Sequence, residues 1–245
     1  MFDQLVAALG QAEDSAAVQA LLATALQHAS PTRDARPTRK AYPDITYLNL
    51  HALGFSLQLE ARPSGLVVAA IDIYNHNADA YDKRERNEYE PFPAYPLRVS
   101  SFRPAAAGGS GGGGGGGSSA SSASASSSPP KPTGSLEVDH KTSGADFVQA
   151  WGEPSRKGGG EGPVGRGPAA WMEWTGHAIV AAFPVTAAAS GHDSAAHSDA
   201  TRQTPLQIMV ELGGPGARGP RRWEADSAGS SVWKVLTLAS PTSAP

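Results

Sequence analysis

The sequence of 245 residues contains no cysteine. This absence excludes a disulfide framework, a thiol nucleophile and a thiolate metal site. Long apolar runs are missing too, because none approaches the roughly 18–20 residues that a membrane-spanning helix requires. The N-terminus lacks the basic and apolar blocks of a secretory signal. Together these absences predict a soluble protein of the cytoplasm or the nucleus.

Charge of either sign is sparse. Charged residues make up 18% of the chain and the formal net charge is −3, which provides no overall attraction to nucleic acid or to an anionic membrane. The hydrophobic fraction of 40% is enough for a packed core. We therefore expect no nucleic-acid partner, no membrane association and no cofactor.

One internal segment divides the chain. Residues 105–128 contain only alanine, glycine and serine, and no such side chain offsets the entropy lost on ordering. We predict a flexible coil with a reach of roughly 25–30 Å. The predicted division is a first half (1–104), a tether (105–134) and a second half (135–245). A second stretch depleted in apolar residues, 184–204, is predicted to be a long surface loop.

Apolar periodicity predicts the elements of the first half. Apolar residues spaced three and four apart indicate helices over residues 2–9 and 15–26, the second capped by Asp14 or Ser15. Alternation over 53–60, followed by an apolar run over 66–74, is typical of an antiparallel hairpin. Proline-rich or polar segments are predicted to be loops, and these are 31–44 and 75–96.

The second half has a similar order of elements. A helix around Phe147 to Trp151 is expected to end at Gly152, and Gly176 lies between two apolar stretches as Gly54 does in the first half. The predicted strands are 136–138, 171–174, 177–183, 206–212 and 232–238, and the first half ends with a predicted edge strand over 97–102. The fold class is therefore α+β, a mostly antiparallel sheet with helices packed on one face and two similar helix-plus-meander halves as a weak internal repeat.

Each half is small for an independent domain. Few apolar strands bury little surface, and two strands alone are marginally stable. We expect the two halves to contribute their strands to one shared sheet and to fold as one unit. The alternative is a pair of separate domains joined by a flexible linker.

A basic, glycine-rich segment is the most distinctive candidate for ligand binding. Glycines let a backbone approach a ligand, their N–H groups can hold an anion, and basic side chains add charge-assisted bonds. The lysine precedes the glycines, so the order of a P-loop is not met. The alternative is a solvated loop between helix and strand. The residues are Arg156, Lys157, Gly158, Gly159 and Gly160.

Four further residues are candidates for contact with a protein partner. Tryptophan and arginine often provide much of the binding energy of an interface. Trp151 and Trp223 flank glycine-rich or arginine-rich segments, and Arg221 and Arg222 adjoin Trp223. The alternative interpretation places the tryptophans in the core.

Two carboxylates lie within apolar strand patterns. Asp72 stands between Ile71 and Ile73, and Glu173 lies beside tryptophan. On a half-buried strand each would face away from its apolar neighbours, which favours a solvent-facing side chain. The alternative is a buried general acid with a raised pKa.

No metal site is predicted. Asn75, Asn77 and Asp79 have the first spacings of a calcium loop, but Ala80 replaces the required glycine and Arg86 replaces the glutamate. A polar turn at a strand end explains these residues, because Asn and Asp satisfy their own backbone there. The set Asp72, His76, Asp79 and Asp82 and the pair His192 and His197 with Asp193 are weaker candidates.

Four segments carry a resemblance to a known family: Gly152–Gly160 (GEPSRKGGG), Trp171–Trp174 (WMEW), Ile71–Asn75 (IDIYN) and Val232–Val235 (VWKV). In these segments the chain resembles a family of filamentous-fungal proteins for which no activity is assigned. The order helix, Gly-x-Pro, strand is also similar to repeats of the β-lactamase-inhibitor-protein-like fold. That second resemblance implies a binding module.

These observations favour a non-catalytic protein-interaction or binding module with an unidentified protein partner. The sequence lacks the H-E-x-x-H motif of zinc proteases, and no catalytic residue is assigned. The alternative is an enzyme, or a binder of an anion or small ligand, that uses Arg156–Gly160.

Deletion of residues 105–128 down to a short Gly/Ser link should leave the melting temperature nearly unchanged. Halving a flexible loop changes the free energy of unfolding by only about 0.6 kcal/mol. Calorimetry of the full-length and shortened chains measures this. A fall of many degrees would show that the segment is part of the folded core.

Overall fold

The computed structural model describes residues 2–28, 36–81, 87–93, 95–102, 134–160, 169–180, 205–224, 227 and 231–240. Within these ranges the chain forms mostly β-sheet with few helices. The helices are α1 (Phe2–Ala8), α2 (Ala16–His28) and α3 (Gly144–Trp151). None of the helices in the described part of the chain is long and apolar enough to cross a membrane.

Ten strands of the described residues form one antiparallel sheet. Their order is β1-β2-β3-β4-β10-β9-β8-β5-β6, and β7 pairs with β8 beside this path. The large antiparallel sheet is confirmed, and helix packing on one face stays a prediction. The strands are β1 (Thr38–Ala41), β2 (Ile45–Leu50), β3 (Phe55–Arg62), β4 (Gly65–Tyr74), β5 (Leu97–Phe102), β6 (Ser135–Val138), β7 (Arg156–Gly158), β8 (Trp171–Val180), β9 (Pro205–Leu212) and β10 (Trp233–Ala239).

One face of the sheet is apolar and forms the core. A single cross-strand row on this face consists of Leu57, Ile71, Leu238, Ile208 and Trp174, each opposite the next. All five side chains are fully buried. Directly opposite residues point to the same side of a sheet, so the alternation in five strands produces one continuous core surface.

Helical side chains complete this core. Leu5 of α1 and Leu21 of α2 are fully buried in the same cluster as the sheet residues. From α3, the ring of Trp151 packs edge-on against Trp174, with centroids 5.3 Å apart. Ser143 and Asp146 form a capping box at the start of α3, and the helix ends before Gly152, as predicted.

The pairing of β4 with β10 joins the two halves of the chain. Ile73 lies opposite Leu236, and Ile71 lies opposite Leu238. We call this pairing the seam, because β4 precedes residues 105–134 and β10 follows them. The two halves therefore contribute strands to one sheet, and their cooperative folding stays a prediction.

Several sequence predictions hold in detail. The hairpin of β3 and β4, the strands β6, β9 and β10, and the helices α1 and α2 lie where periodicity indicated. Ser15 provides the cap of α2, since its Oγ accepts a hydrogen bond from the backbone N–H of Val18 at 3.4 Å.

Two loop and edge assignments are wrong. The segment 31–44, predicted as a loop, contains strand β1, whose four residues are all exposed and so lack the burial pattern of a strand. It forms because Tyr42 N–H donates to the carbonyl of Ile45 and closes a hairpin with β2. Strand β5, predicted at an edge, lies between β8 and β6.

The proposed equivalence of Gly54 and Gly176 is also wrong. Gly54 has a φ of 73° and ends a short 3₁₀ turn before β3. Gly176 lies inside the single strand β8, at a register shift between Trp174 and His177. Gly54 lies in a turn before a strand, whereas Gly176 lies where the hydrogen bonding between β8 and β9 is interrupted. Their positions therefore do not support an internal repeat.

Some predictions concern residues outside the described ranges. These include the coil at 105–128, the loop at 184–204 with His192, Asp193 and His197, and Asp82 of the weaker metal candidates.

A fragment of residues 135–245 should lose its native tryptophan environment. All five tryptophans follow the tether, and in the fragment β10 lacks its partner β4 and the buried contact of Leu238 with Ile71. We expect red-shifted emission and a non-cooperative melt, restored when residues 1–104 are added. Native emission with a cooperative melt in the fragment alone would contradict the single-unit interpretation.

Candidate functional site

The face opposite the core is polar and carries the candidate site. Opposed residues form one row across eight strands, about 34 Å wide at the usual strand spacing. Because direct partners share a face, this register gathers residues from both halves of the chain. We call this surface the polar face. Its central row is Thr38, Asn49, Ser56, Asp72, Thr237, Met209, Glu173 and Arg156.

Asp72 is the buried centre of the polar face. Its Oδ2 accepts a hydrogen bond from Gln58 Nε2 at 2.7 Å, and its Oδ1 accepts one from Thr237 Oγ1 at 2.7 Å. The residue is only 6% exposed, so the predicted solvent-facing side chain is wrong. The reason is that β3 and β10 flank Asp72 on both sides and enclose its short side chain.

Burial also determines the protonation of Asp72. Removal of water raises the pKa of this carboxyl above its usual range, while hydrogen bonds from Thr237, Gln58 and Ser56 act in the opposite direction. Burial disfavours the charged form of an acid, and donors favour it. The net rise matches the alternative interpretation of a buried carboxyl.

A chain of tyrosines extends from Asp72 toward β1. Tyr74 OH lies 3.2 Å from Ser56 Oγ, and its ring stacks on Tyr89 with centroids 3.7 Å apart. Tyr89 OH donates to Asn49 Oδ1 at 3.0 Å. Burial raises the pKa of both phenols, so they remain protonated and act as hydrogen-bonding groups.

The tyrosines end at an open cleft of about 530 Å³. The ring of Tyr42 packs edge-on against Tyr47 at 5.9 Å, and the Lys40 ammonium lies 5.3 Å from the Tyr42 ring centroid. We call this the tyrosine cleft. It combines aromatic faces, a cation and amide or imidazole groups. Its lining residues are Thr38, Arg39, Lys40, Tyr42, Tyr47, Asn49, His51, Glu88 and Tyr89.

Arg156 lies at the opposite end of the polar face. Its side chain is 68% exposed, with Nη1 3.7 Å from Glu173 Oε2. Its guanidinium lies 5.8 Å from the Trp171 ring centroid. Glu173 is 4% exposed, so its predicted solvent-facing position is wrong, because β7 and β9 cover it from both sides.

The glycines beside Arg156 serve packing. Residues 156–158 form strand β7, so the predicted loop is wrong there. Gly159 and Gly160 have φ values of 72° and 68°, and a Cβ on either would collide with protein atoms. At Gly159 the obstacle is the Ala169 carbonyl, and at Gly160 it is the Arg222 side chain.

These glycine backbones therefore face the protein itself. The close approach of Ala169 to Gly159 and of Arg222 to Gly160 explains why both positions are glycine, and no ligand is needed for this explanation. Anion binding by the side chains of Arg156 and Lys157 stays a prediction.

The four predicted partner contacts separate into two groups. Trp151 is 4% exposed and packs in the core, so it lies where the alternative interpretation placed it. Arg222 is buried and donates to the carbonyl of Gly219. Trp223 is half-buried, with the Lys157 ammonium 5.7 Å from its ring centroid. Arg221, which pairs with Glu224, is exposed.

Trp223 and Arg221 therefore keep surface area that a partner can contact, whereas Trp151 does not. Partner contact by those two residues stays a prediction.

The polar turn after β4 is confirmed. Asn75 Oδ1 accepts from the backbone N–H of Asn77, and Asn77 Oδ1 accepts from that of Asp79, both at 3.0 Å. Side-chain oxygens thus satisfy the turn backbone, as expected for these residue types. Among the described residues, no group of three or more His, Asp or Glu is arranged to hold a metal ion.

No family model matches this chain, and no curated protein or solved structure is significantly similar to it. The resemblances drawn from sequence segments therefore stay predictions.

Replacement of Asp72 by asparagine should change the pH dependence of stability. The folded-state pKa is raised, so the folded chain keeps a proton that the unfolded chain loses above about pH 4. The free energy of unfolding contributed by Asp72 therefore falls as pH rises from there to the folded pKa. An asparagine side chain at this position carries no charge to bury. It can still accept a hydrogen bond from the Thr237 hydroxyl and donate one to the oxygen of a rotated Gln58 amide.

Urea unfolding from pH 4 to pH 8 measures this difference. We expect Asp72→Asn to gain stability relative to the wild type as pH rises. Asp79→Asn, an exposed matched control, should follow the wild-type profile. Parallel wild-type and Asp72→Asn profiles would contradict the raised pKa.

Proposed function

We propose that this chain is a non-catalytic protein-interaction module that binds its partner through the polar face. The observation that carries the proposal is the register that aligns the tyrosine cleft, Met209, Trp171 and Arg156 on one surface. Tyrosine, tryptophan, methionine and arginine are the residue types enriched in protein interfaces. Aromatic and arginine side chains also provide most binding hot spots.

The dimensions of the polar face support this proposal. Eight strands give a width of about 34 Å, and a usual strand length is about 20 Å. The product is on the order of 700 Å², close to the roughly 800 Å² that each partner buries in a standard interface.

Three titratable groups of the polar face argue against catalysis: Asp72, Tyr74 and Tyr89. A general acid or base must reach the proton that it transfers, whereas Asp72 is enclosed by Gln58 and Thr237. Tyr74 and Tyr89 have raised pKa values through burial, which disfavours a phenolate base at neutral pH. These groups fit a fixed polar floor beneath a binding surface.

A second candidate is binding of an anion or small ligand at Arg156–Gly160. The exposed guanidinium of Arg156 favours it. The packing role of Gly159 and Gly160 opposes it, because their backbone does not need to approach a ligand.

Exposed residues at the two ends of the polar face should be needed for partner binding. The full chain serves as bait, and the dissociation constant of each captured protein is then measured with purified variants. Truncation of a hot-spot side chain costs about 1–2 kcal/mol or more, so Tyr42→Ala and Arg156→Ala should each weaken binding by roughly tenfold or more.

Leu26→Ala provides a matched control, because Leu26 of α2 and Tyr42 are both 47% exposed. It should leave binding unchanged, and circular dichroism should confirm that all variants fold. A partner lost with Leu26→Ala but retained by both polar-face variants would refute the proposal. If Arg156→Ala abolishes the binding of inorganic phosphate but leaves protein binding unchanged, the second candidate is favoured.

A further inference from the structure

Two histidines from opposite halves of the chain lie side by side beyond the seam. His76 follows β4, and His140 follows β6. Their ring centroids are 5.2 Å apart and their planes are inclined by 47°. His76 is exposed and His140 is half-buried, so both imidazoles are within reach of solutes.

Hydrogen bonds hold the two histidine backbones in register. Asn75 and Asn77 flank His76, and both side-chain amides donate to the carbonyl of His140, at 3.1 and 2.9 Å. Asn75 Nδ2 also donates to the carbonyl of Trp233 at 2.7 Å. The turn that carries His140 is fixed as well, because Trp233 Nε1 donates to the Asp139 carbonyl at 2.6 Å. The imidazoles are therefore brought together by contacts that involve neither ring.

The separation of the rings suits a shared metal ion. Zinc binds imidazole nitrogen at about 2.0–2.1 Å, and a ring nitrogen lies about 1.1 Å from the ring centroid. Two imidazoles on one tetrahedral ion would thus have centroids about 5 Å apart, close to the observed 5.2 Å. Imidazole suits zinc, copper and nickel.

We propose that His76 and His140 together bind one divalent transition-metal ion, with water in the remaining coordination positions. The ion would connect the turn after β4 to the turn after β6 and so link the two halves of the chain. A site with two protein ligands is weaker than a closed four-ligand zinc site, so binding is reversible and chelators remove the ion.

Metal binding requires the neutral form of both imidazoles. Asp72, grouped with His76 by sequence spacing, takes no part because its oxygens are bonded to Gln58 and Thr237.

Titration of the full chain with zinc chloride at pH 7.5 tests the site. We expect one zinc ion per chain by calorimetry and a rise of several degrees in Tm, because an ion that binds the folded state stabilises it. EDTA should reverse the rise. His76→Gln and His140→Gln should each abolish it while keeping the metal-free Tm, since the hydrogen bonds that fix the turns involve neither ring.

The double variant His192→Gln/His197→Gln is the matched control, because it also removes two histidines, which lie five residues apart in the sequence. It should bind zinc as the wild type does. The proposal is overturned if the wild type binds no zinc at millimolar concentration, if His76→Gln and His140→Gln bind it unchanged, or if only the control variant loses binding. None of these results bears on partner binding by the polar face.

Discussion

The pairing of β4 with β10 is the interaction on which the rest of the structure depends. Its apolar side places Ile71 and Ile73 against Leu238 and Leu236, all fully buried. Full burial of such side chains stabilises a fold by about 1.5–3 kcal/mol each. The seam also sets the register in which Asp72 meets Thr237, and it brings the turns that carry His76 and His140 together. Without it, neither the core row nor the polar row would cross from one half to the other.

Asp72 is a costly residue at this position. A buried carboxyl loses its hydration, and three hydrogen-bond donors offset part of the loss. A shift of one residue in a β-pairing exchanges the two faces of a strand. Such a shift between β4 and β10 would place Asp72 on the apolar side, away from Thr237. We therefore interpret the Asp72–Thr237 bond as a device that specifies register, at a cost in stability that grows as pH rises.

Local patterns predicted the elements whose burial alternates along the chain. The β3–β4 hairpin, β9 and α3 follow from apolar periodicity and capping residues alone. Strand β1 was not predicted because all four of its residues are exposed. Strand β7 was not predicted because its glycine is more typical of a loop than of a strand. Both are short strands that depend on a neighbour, β2 or β8, for their formation.

The candidate site was less predictable than the fold for the same reason. The burial of Asp72 and Glu173 follows from strands that are distant in sequence, and an isolated strand pattern assigns such side chains to solvent. The tyrosine cleft requires β1, and the His76–His140 pair requires Asn75 and Asn77 to reach a turn more than sixty residues away. The tyrosines and histidines were visible in the sequence, but their proximity was not.

We infer that the seam makes one cooperative unit from the two halves of the chain. Native-state hydrogen exchange of the full chain, followed at Ile71–Ile73 and Leu236–Leu238 under increasing urea, tests it most directly. We expect both strands to exchange only through global unfolding, with one shared opening free energy equal to that measured by denaturation. Exchange of β10 at a clearly lower free energy than β4 would show that the halves open separately and would contradict this inference.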